Sequence, residues 1–132
     1  MEPQPAGEQM TGSRKLLIVD DEPKLCRVLS QYFSLKGYEV RAVNRGEEAL
    51  ALVPVFQPHV VLLDLLMPGL SGIEVLRQLK QGHPATKVVM LSASDRDDVV
   101  RRTLTLGADA YVCKPADLVK LQQVLEGLWA PS

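Results

Sequence analysis

The run His59-Val60-Val61-Leu62-Leu63-Asp64, followed by Leu65-Leu66-Met67-Pro68-Gly69, constrains this chain more than any other stretch. Four β-branched and leucine side chains in a row, bounded by turn residues, read as a strand buried on both faces. Asp64 is the first polar residue where that strand emerges, and Met67-Pro68-Gly69 turns the chain just beyond it. In open parallel sheets the functional crevice lies outside the carboxyl ends of the strands. Asp64 therefore stands where chemistry is expected.

The other segments arrange themselves around this strand. Lys15-Leu16-Leu17-Ile18-Val19 is a second buried strand, ending at Asp20-Asp21. Pro23 suits the first position of a helix that carries Leu25, Val28, Leu29, Tyr32 and Leu35 at helical spacing and ends at Gly37. Tyr38 to Val43 alternates as a strand. Asn44 with Glu47 reads as a capping pair for a short helix ending before Pro54. Ser71-Gly72-Ile73-Glu74 is a capping box opening a helix with Ile73, Leu76 and Leu79 inward. Lys87 to Leu91 is a fourth strand, emerging at Ser92. Ser94 and Asp97 suggest a cap for a helix to Gly107, a weak one, since Val99, Val100 and Leu104 are its sparse apolar positions. Ala110 to Cys113 is a fifth strand, ending at Lys114-Pro115, and Leu118, Leu121, Leu125 and Leu128 mark a final amphipathic helix. Strand and helix alternate five times. Right-handed crossovers then predict an α/β, doubly wound five-stranded parallel sheet with helices on both faces; with the acids at the ends of the first and third strands, the order 2-1-3-4-5 sets those two strands side by side at the switch point.

Length and composition limit the rest. The 132 residues make one domain of ordinary size. A formal net charge of -1 gives no electrostatic footprint for nucleic acid. Two cysteines form no disulfide framework and point to a reducing cytoplasm. Cys26 shares a helix face with Leu29 and Phe33, as a core thiol would. Residues 1–13 lack an apolar core and a positive flank, so they read as a disordered leader rather than a signal peptide or membrane span.

This topology gathers Asp20, Asp21 and Asp64 at one end of the sheet, with Ser92 and Lys114 on neighbouring strand ends. Two carboxylates about 4 Å apart repel by about 4 kcal/mol at an effective dielectric near 20. Three stay ionised together only beside a cation, or their pKa values rise. A small hard cation held by carboxylates, phosphate and water is the usual magnesium arrangement. Lys114 adds a fixed positive charge and Ser92 a hydroxyl donor. Acids, metal, lysine and hydroxyl around one carboxylate are the parts for phosphoryl transfer to an aspartate.

The segments Val19-Asp20-Asp21-Glu22-Pro23, Leu63-Asp64-Leu65-Leu66-Met67-Pro68-Gly69, Leu91-Ser92-Ala93 and Tyr111-Val112-Cys113-Lys114-Pro115, in this order, resemble the receiver domain of two-component response regulators. The resemblance spans about Lys15 to Trp129 and places the domain at residues 14–130, with the flavodoxin-like (βα)5 fold. It implies that Asp64 is the phosphoacceptor and that Asp21 binds magnesium (or manganese) directly, with Asp20 helping through water or as a secondary ligand. The backbone carbonyl of Leu66 completes the protein's metal ligands. Ser92, Ala93 and Lys114 would meet the phosphoryl group, Tyr111 would be the rotating aromatic, and the Lys114-Pro115 bond would be cis. The implied partners are a sensor histidine kinase or phosphotransfer protein, an output domain or effector, and a second copy in a homodimer, with neither nucleic acid nor membrane bound directly. A phosphorylated receiver is a switch rather than an enzyme on free substrates. Its moving parts would be the weak fourth helix and the surface around residues 94–120. Ser92 replaces the more frequent threonine, Ala116 stands where a bulky apolar residue is common, and Leu65 and Leu66 are unusually apolar for their place.

Two rival chemistries fit less well. Aspartyl phosphatases on similar sheets usually keep a second acid two residues after the nucleophile, and Leu66 occupies that position here. A flavodoxin-like cofactor binder needs a phosphate cradle after the first strand, where Asp20-Asp21-Glu22 would repel an anion.

Overall fold

A computed structural model describes residues 14–129; the leader expected over residues 1–13 lies outside the described residues. Five strands, β1 (Lys15–Val19), β2 (Glu39–Val43), β3 (Val60–Leu63), β4 (Lys87–Ser92) and β5 (Ala110–Cys113), form one parallel sheet in the order β2-β1-β3-β4-β5. Between and after them run α1 (Pro23–Leu35), α2 (Gly46–Phe56), α3 (Gly72–Gly82), α4 (Asp97–Thr105) and α5 (Leu118–Trp129). The expected topology is observed.

The central strands are apolar throughout because both faces are covered. Alternate residues of β1, β3 and β4 supply two separate cores. Leu17, Val19, Val61, Leu63, Val88 and Met90 pack against Ala49, Val53 and Phe56 of α2 and Val75, Leu76 and Leu79 of α3. Leu16, Ile18, Val60, Leu62, Val89 and Leu91 pack against Cys26, Leu29 and Phe33 of α1 and Leu121 and Leu125 of α5. Each fully buried large side chain contributes about 1.5–3 kcal/mol, so these two layers hold the strand ends in fixed register.

Four local readings are corrected. Helix α2 continues through Pro54 to Phe56, because Val53 and Phe56 are buried on either side of it. Its N-cap is Arg45, without a side-chain cap; Asn44 instead donates its backbone N–H to Glu48, not Glu47, at 3.2 Å. In α3, Ser71 Oγ accepts the Glu74 N–H at 3.2 Å, but the Glu74 carboxylate turns to Arg77 and Gln78, so only half of the capping box forms. Ile73 is half-buried, and Val75 takes the inward place beside Leu76 and Leu79. Helix α4 is as weakly held as its sequence suggests: Thr103 is its one buried residue, and Leu104 is exposed. None of the described helices is long and apolar enough to cross a membrane.

At the amino-terminal pole of the sheet, the end of α5 is tied back to the strands. Trp129 Nε1 donates to the Tyr38 hydroxyl at 2.7 Å, and its ring lies edge-on to His59 with centroids 5.4 Å apart. His59 Nδ1 accepts the Lys15 N–H at 3.0 Å, which requires that nitrogen to be unprotonated. Burial, then the charges of Lys15 and Arg14, push the His59 pKa below its usual 6.5. A depressed histidine leaves the folded chain binding fewer protons than the unfolded one, so its stability is intact above pH 6.5 and is lost as pH falls through the folded value. Acidification from pH 7.5 to 5.5 is therefore expected to lower the melting temperature of the wild type more than that of His59→Gln. Equal falls in thermal scans of the two proteins would dismiss His59 as a contributor.

Candidate functional site

The carboxyl ends of β1 and β3 lie side by side, with Val19 opposite Leu63 in register, and the Asp64 N–H donates to the Val19 carbonyl at 2.9 Å. Asp20, Asp21 and Asp64 each present a carboxylate oxygen, and the three oxygens lie within 4.8 Å of one another. Asp20 is only 2 % exposed and Asp64 4 %, whereas Asp21 faces solvent. Asn44 Nδ2 donates to the Asp20 carbonyl at 2.9 Å, bracing the end of β1 from β2.

Lys114, at the end of β5, reaches across β4 and β3 to this group. Its Nζ is 2.8 Å from Asp20 Oδ2, 2.9 Å from Glu22 Oε1 and 3.5 Å from Asp64 Oδ2. The contact with Asp20 is an ion pair off hydrogen-bond direction, so this buried oxygen has no directed donor. A buried carboxylate oxygen left in that condition, beside two further carboxylates, suits a small hard cation with oxygen ligands. Burial opposes the Lys114 charge, but Asp20, Glu22 and Asp64 outweigh it and hold the ammonium above the usual lysine range. Asp64 moves in the other direction. Its burial, reinforced by Asp20, pushes the carboxyl up to about 6, although the Leu66 N–H (3.2 Å from Oδ1) and Lys114 favour the charged form.

The turn after Asp64 depends on two glycines. Gly69 has φ 78°, a left-handed conformation that strains other residues. Gly72 sits so close to the end of β3 that a Cβ there would lie 2.3 Å from the Asp64 carbonyl oxygen. Leu65 is buried, while Leu66 is 63 % exposed beside the acids.

Ser92 is fully buried at the end of β4, and its Oγ accepts the Ser94 N–H at 3.4 Å. The Tyr111 hydroxyl donates to the Ser94 carbonyl at 2.7 Å, so Ser92 and Tyr111 meet through the β4–α4 connection. The Lys114 N–H donates to the Ser92 carbonyl at 2.8 Å, and the Lys114-Pro115 peptide is cis. Ala93 is exposed and lines, with Glu22, Lys114, Leu25, Val28 and Ala116, an open groove of about 690 Å³ beside the acids. The small Ala116 side chain leaves part of that space unfilled.

Three participants were not singled out from the residues: Glu22 as a partner of Lys114, Asn44 as a brace, and Gly72 as the closest neighbour of the β3 exit. Glu22 had a visible signal in its place beside the acid pair. The other two contacts span 24 and 8 positions in sequence and carry no local signature.

A parallel sheet in this order, with three acids and a lysine at its carboxyl edge, defines a class of phosphoryl-responsive switch domains. Residues 16–126 match the model of the response regulator receiver domain, and the chain belongs to that family. It is 37 % identical over 117 residues to the regulatory protein AtoC of Escherichia coli, covering 89 % of this chain and 25 % of AtoC. It is 38 % identical over 103 residues to PhoP, the alkaline phosphatase synthesis transcriptional regulatory protein of Bacillus subtilis, covering 78 % of this chain and 43 % of PhoP. The receiver domain of Francisella response regulator 1452 superimposes with a TM-score of 0.83 at 30 % identity, covering 89 % of this chain and 97 % of that one. The chain thus spans less than half the length of these two curated relatives.

Proposed function

We propose that residues 14–130 form a phosphoryl-accepting receiver in which Asp64 takes a phosphoryl group from a phosphohistidine of a partner kinase or phosphotransfer protein. The observation that supports this reading best is the convergence of Asp64, Asp20 and Asp21, with carboxylate oxygens within 4.8 Å of one another, beside a Lys114 ammonium that reaches both Asp20 and Asp64. A carboxylate oxygen of Asp64 forms the new bond to phosphorus as the P–N bond breaks, and the departing electron pair returns to the imidazole, which takes up a proton. Near neutral pH a carboxyl with a pKa of about 6 is mostly ionised and nucleophilic. Asp21, Asp20, Asp64 and the Leu66 carbonyl would hold magnesium, or manganese in its place, which when bound neutralises charge on the phosphoryl oxygens. Lys114 offers the second positive charge, and Ser92 with the neighbouring Ala93 lies at the adjoining strand end to receive the new anion.

Replacing the single carboxylate charge of Asp64 with a phosphoryl group carrying about -1.5 to -2 then biases a two-state equilibrium. Ser92, Ser94 and Tyr111 already form one bonded chain to the base of α4, the described helix with the fewest buried residues, so that segment is the cheapest to move. The surface of residues 94–120 would carry the change to an output domain, an effector or a second copy of the chain, without direct contact with nucleic acid or membrane. The two free cysteines suit a cytoplasmic setting. Turnover is limited to self-phosphorylation from small donors and hydrolysis of the acyl phosphate.

Radiolabelled acetyl phosphate with magnesium is expected to label the wild type and to leave Asp64→Asn at least about 100-fold less labelled, the loss expected when the attacking group itself is removed. Undiminished labelling of the variant would take the phosphoacceptor role away from Asp64.

A further inference from the structure

Glu22 occupies the N-cap of α1, yet its side chain caps nothing: it makes no bond to an α1 N–H. Its backbone N–H donates instead to Asp20 Oδ1 at 2.9 Å, which anchors the residue against the acid pair. The carboxylate turns toward Lys114 and accepts from Nζ at 2.9 Å, while Nζ remains 3.5 Å from Asp64 Oδ2. The ammonium is therefore drawn to the Asp20–Glu22 side of the site. A phosphoryl group on Asp64 has to attract it from there.

We propose that Glu22 is a positioning residue that competes with the phosphoryl group for Lys114 and so sets how readily the phosphorylated state forms. This rests on the receiver reading above. Glu22 is the solvent-facing member of the three acids on Lys114, with a side chain 59 % exposed against 2 % and 5 % for Asp20 and Asp64. An exposed ion pair is a weak restraint, and removing it alters equilibria by a small factor rather than abolishing them. Asp20 and Asp64 remain to hold the lysine in place, so Glu22→Gln leaves a folded, paired site.

The test uses beryllofluoride with magnesium as the phosphoryl mimic, followed by NMR titration of the full chain. Glu22→Gln is expected to bind it about two- to fivefold more tightly than the wild type, the range that an exposed pair supplies. Asp95→Asn removes the same unit of charge from the β4–α4 connection, at a residue that is not a partner of Lys114, and is expected to change affinity less than Glu22→Gln does. Without metal or mimic, the Lys114 side-chain methylene signals are expected to shift in Glu22→Gln and to stay in place in Asp95→Asn. Unaltered or weaker binding by Glu22→Gln overturns the proposal, as does an equal gain in Asp95→Asn or an unmoved Lys114 signal. Failure of the wild type to bind the mimic at all overturns the receiver reading together with this one, whereas wild-type binding with no gain in Glu22→Gln overturns only the role of Glu22.

Discussion

Gly72→Ala is expected to lower stability by about 2–4 kcal/mol, in the upper range for forcing a group into packed structure, and to impair labelling of Asp64. The added Cβ would meet three backbone atoms: the Asp64 carbonyl oxygen at 2.3 Å, Leu65 Cα at 2.7 Å and the Leu65 carbonyl oxygen at 2.9 Å. Backbone atoms cannot rotate away as a side chain can. The Gly72 N–H also donates to the Leu65 carbonyl at 3.1 Å, so retreat of α3 would break that bond and uncover Val75, Leu76 and Leu79. The strain therefore falls on the residue that bears the carboxylate. Gly82, at the other end of the same helix, has nothing within 4 Å of its absent Cβ. Gly82→Ala is expected to be neutral or to stabilise by up to about 1 kcal/mol through helix propensity. Thermal melting of both variants, with acetyl phosphate labelling, checks the pair. A Gly72→Ala protein as stable and as readily labelled as Gly82→Ala would mean that the close approach at the end of β3 is absent.

That contact shows where reading the residues stops. Strand positions were legible because β1, β3 and β4 are buried on both faces, which leaves uninterrupted apolar runs such as Val60 to Leu63 with an acid or hydroxyl at each exit. Alternation of strand and helix then left few topologies, and the observed order brought Asp20, Asp21, Asp64 and Lys114 together as expected. Helix ends were less legible, for different reasons. Pro54 reads as a stop because it lacks an N–H, yet the burial of Val53 and Phe56 carries α2 past it. Glu48 rather than Glu47 reaches Asn44, a choice between neighbours that spacing alone does not make.

The finer geometry of the site depends on distances that no local pattern encodes. That a lysine at the end of β5 would stand near the acids followed from topology. That it would divide its charge among Asp20, Glu22 and Asp64 depends on the reach of one flexible side chain across two strands. Tyr111 could be placed on a strand from its neighbours, whereas its bond to the Ser94 carbonyl depends on the path of a loop. Crowding of like charges was foreseeable in kind; that burial would hold the Asp64 carboxyl up, with the Lys114 ammonium 3.5 Å from it, was not.

In the absence of divalent cations, Asp64→Asn is expected to be more stable than the wild type at pH 7 by about 1–3 kcal/mol, because the folded carboxyl is held at about 6 instead of 3.8 and each tenfold in proton affinity is about 1.36 kcal/mol. Burial holds the Asp64 carboxyl up to about 6 against its ordinary 3.8. The folded chain thus binds this proton more tightly than the unfolded one. Stability from this group is fully present below pH 3.8, falls as pH rises through about 6, and stays low at neutrality. Asparagine never incurs that loss. Its oxygen can still accept the Leu66 N–H now held by Oδ1 at 3.2 Å, and its amide replaces an oxygen that Lys114 touches only distantly, at 3.5 Å. Lys114 keeps Asp20 and Glu22. Urea unfolding with a chelator present should show the gain at pH 7 and its disappearance near pH 4, where the wild-type carboxyl is protonated. Saturating magnesium should narrow or reverse the difference, because a ligand that prefers the folded wild type stabilises it by mass action. The carboxylate proposed to accept the phosphoryl group thus weakens the resting fold. A variant no more stable than the wild type at pH 7, or a gain that persists unchanged at pH 4, would show that Asp64 imposes no such electrostatic cost.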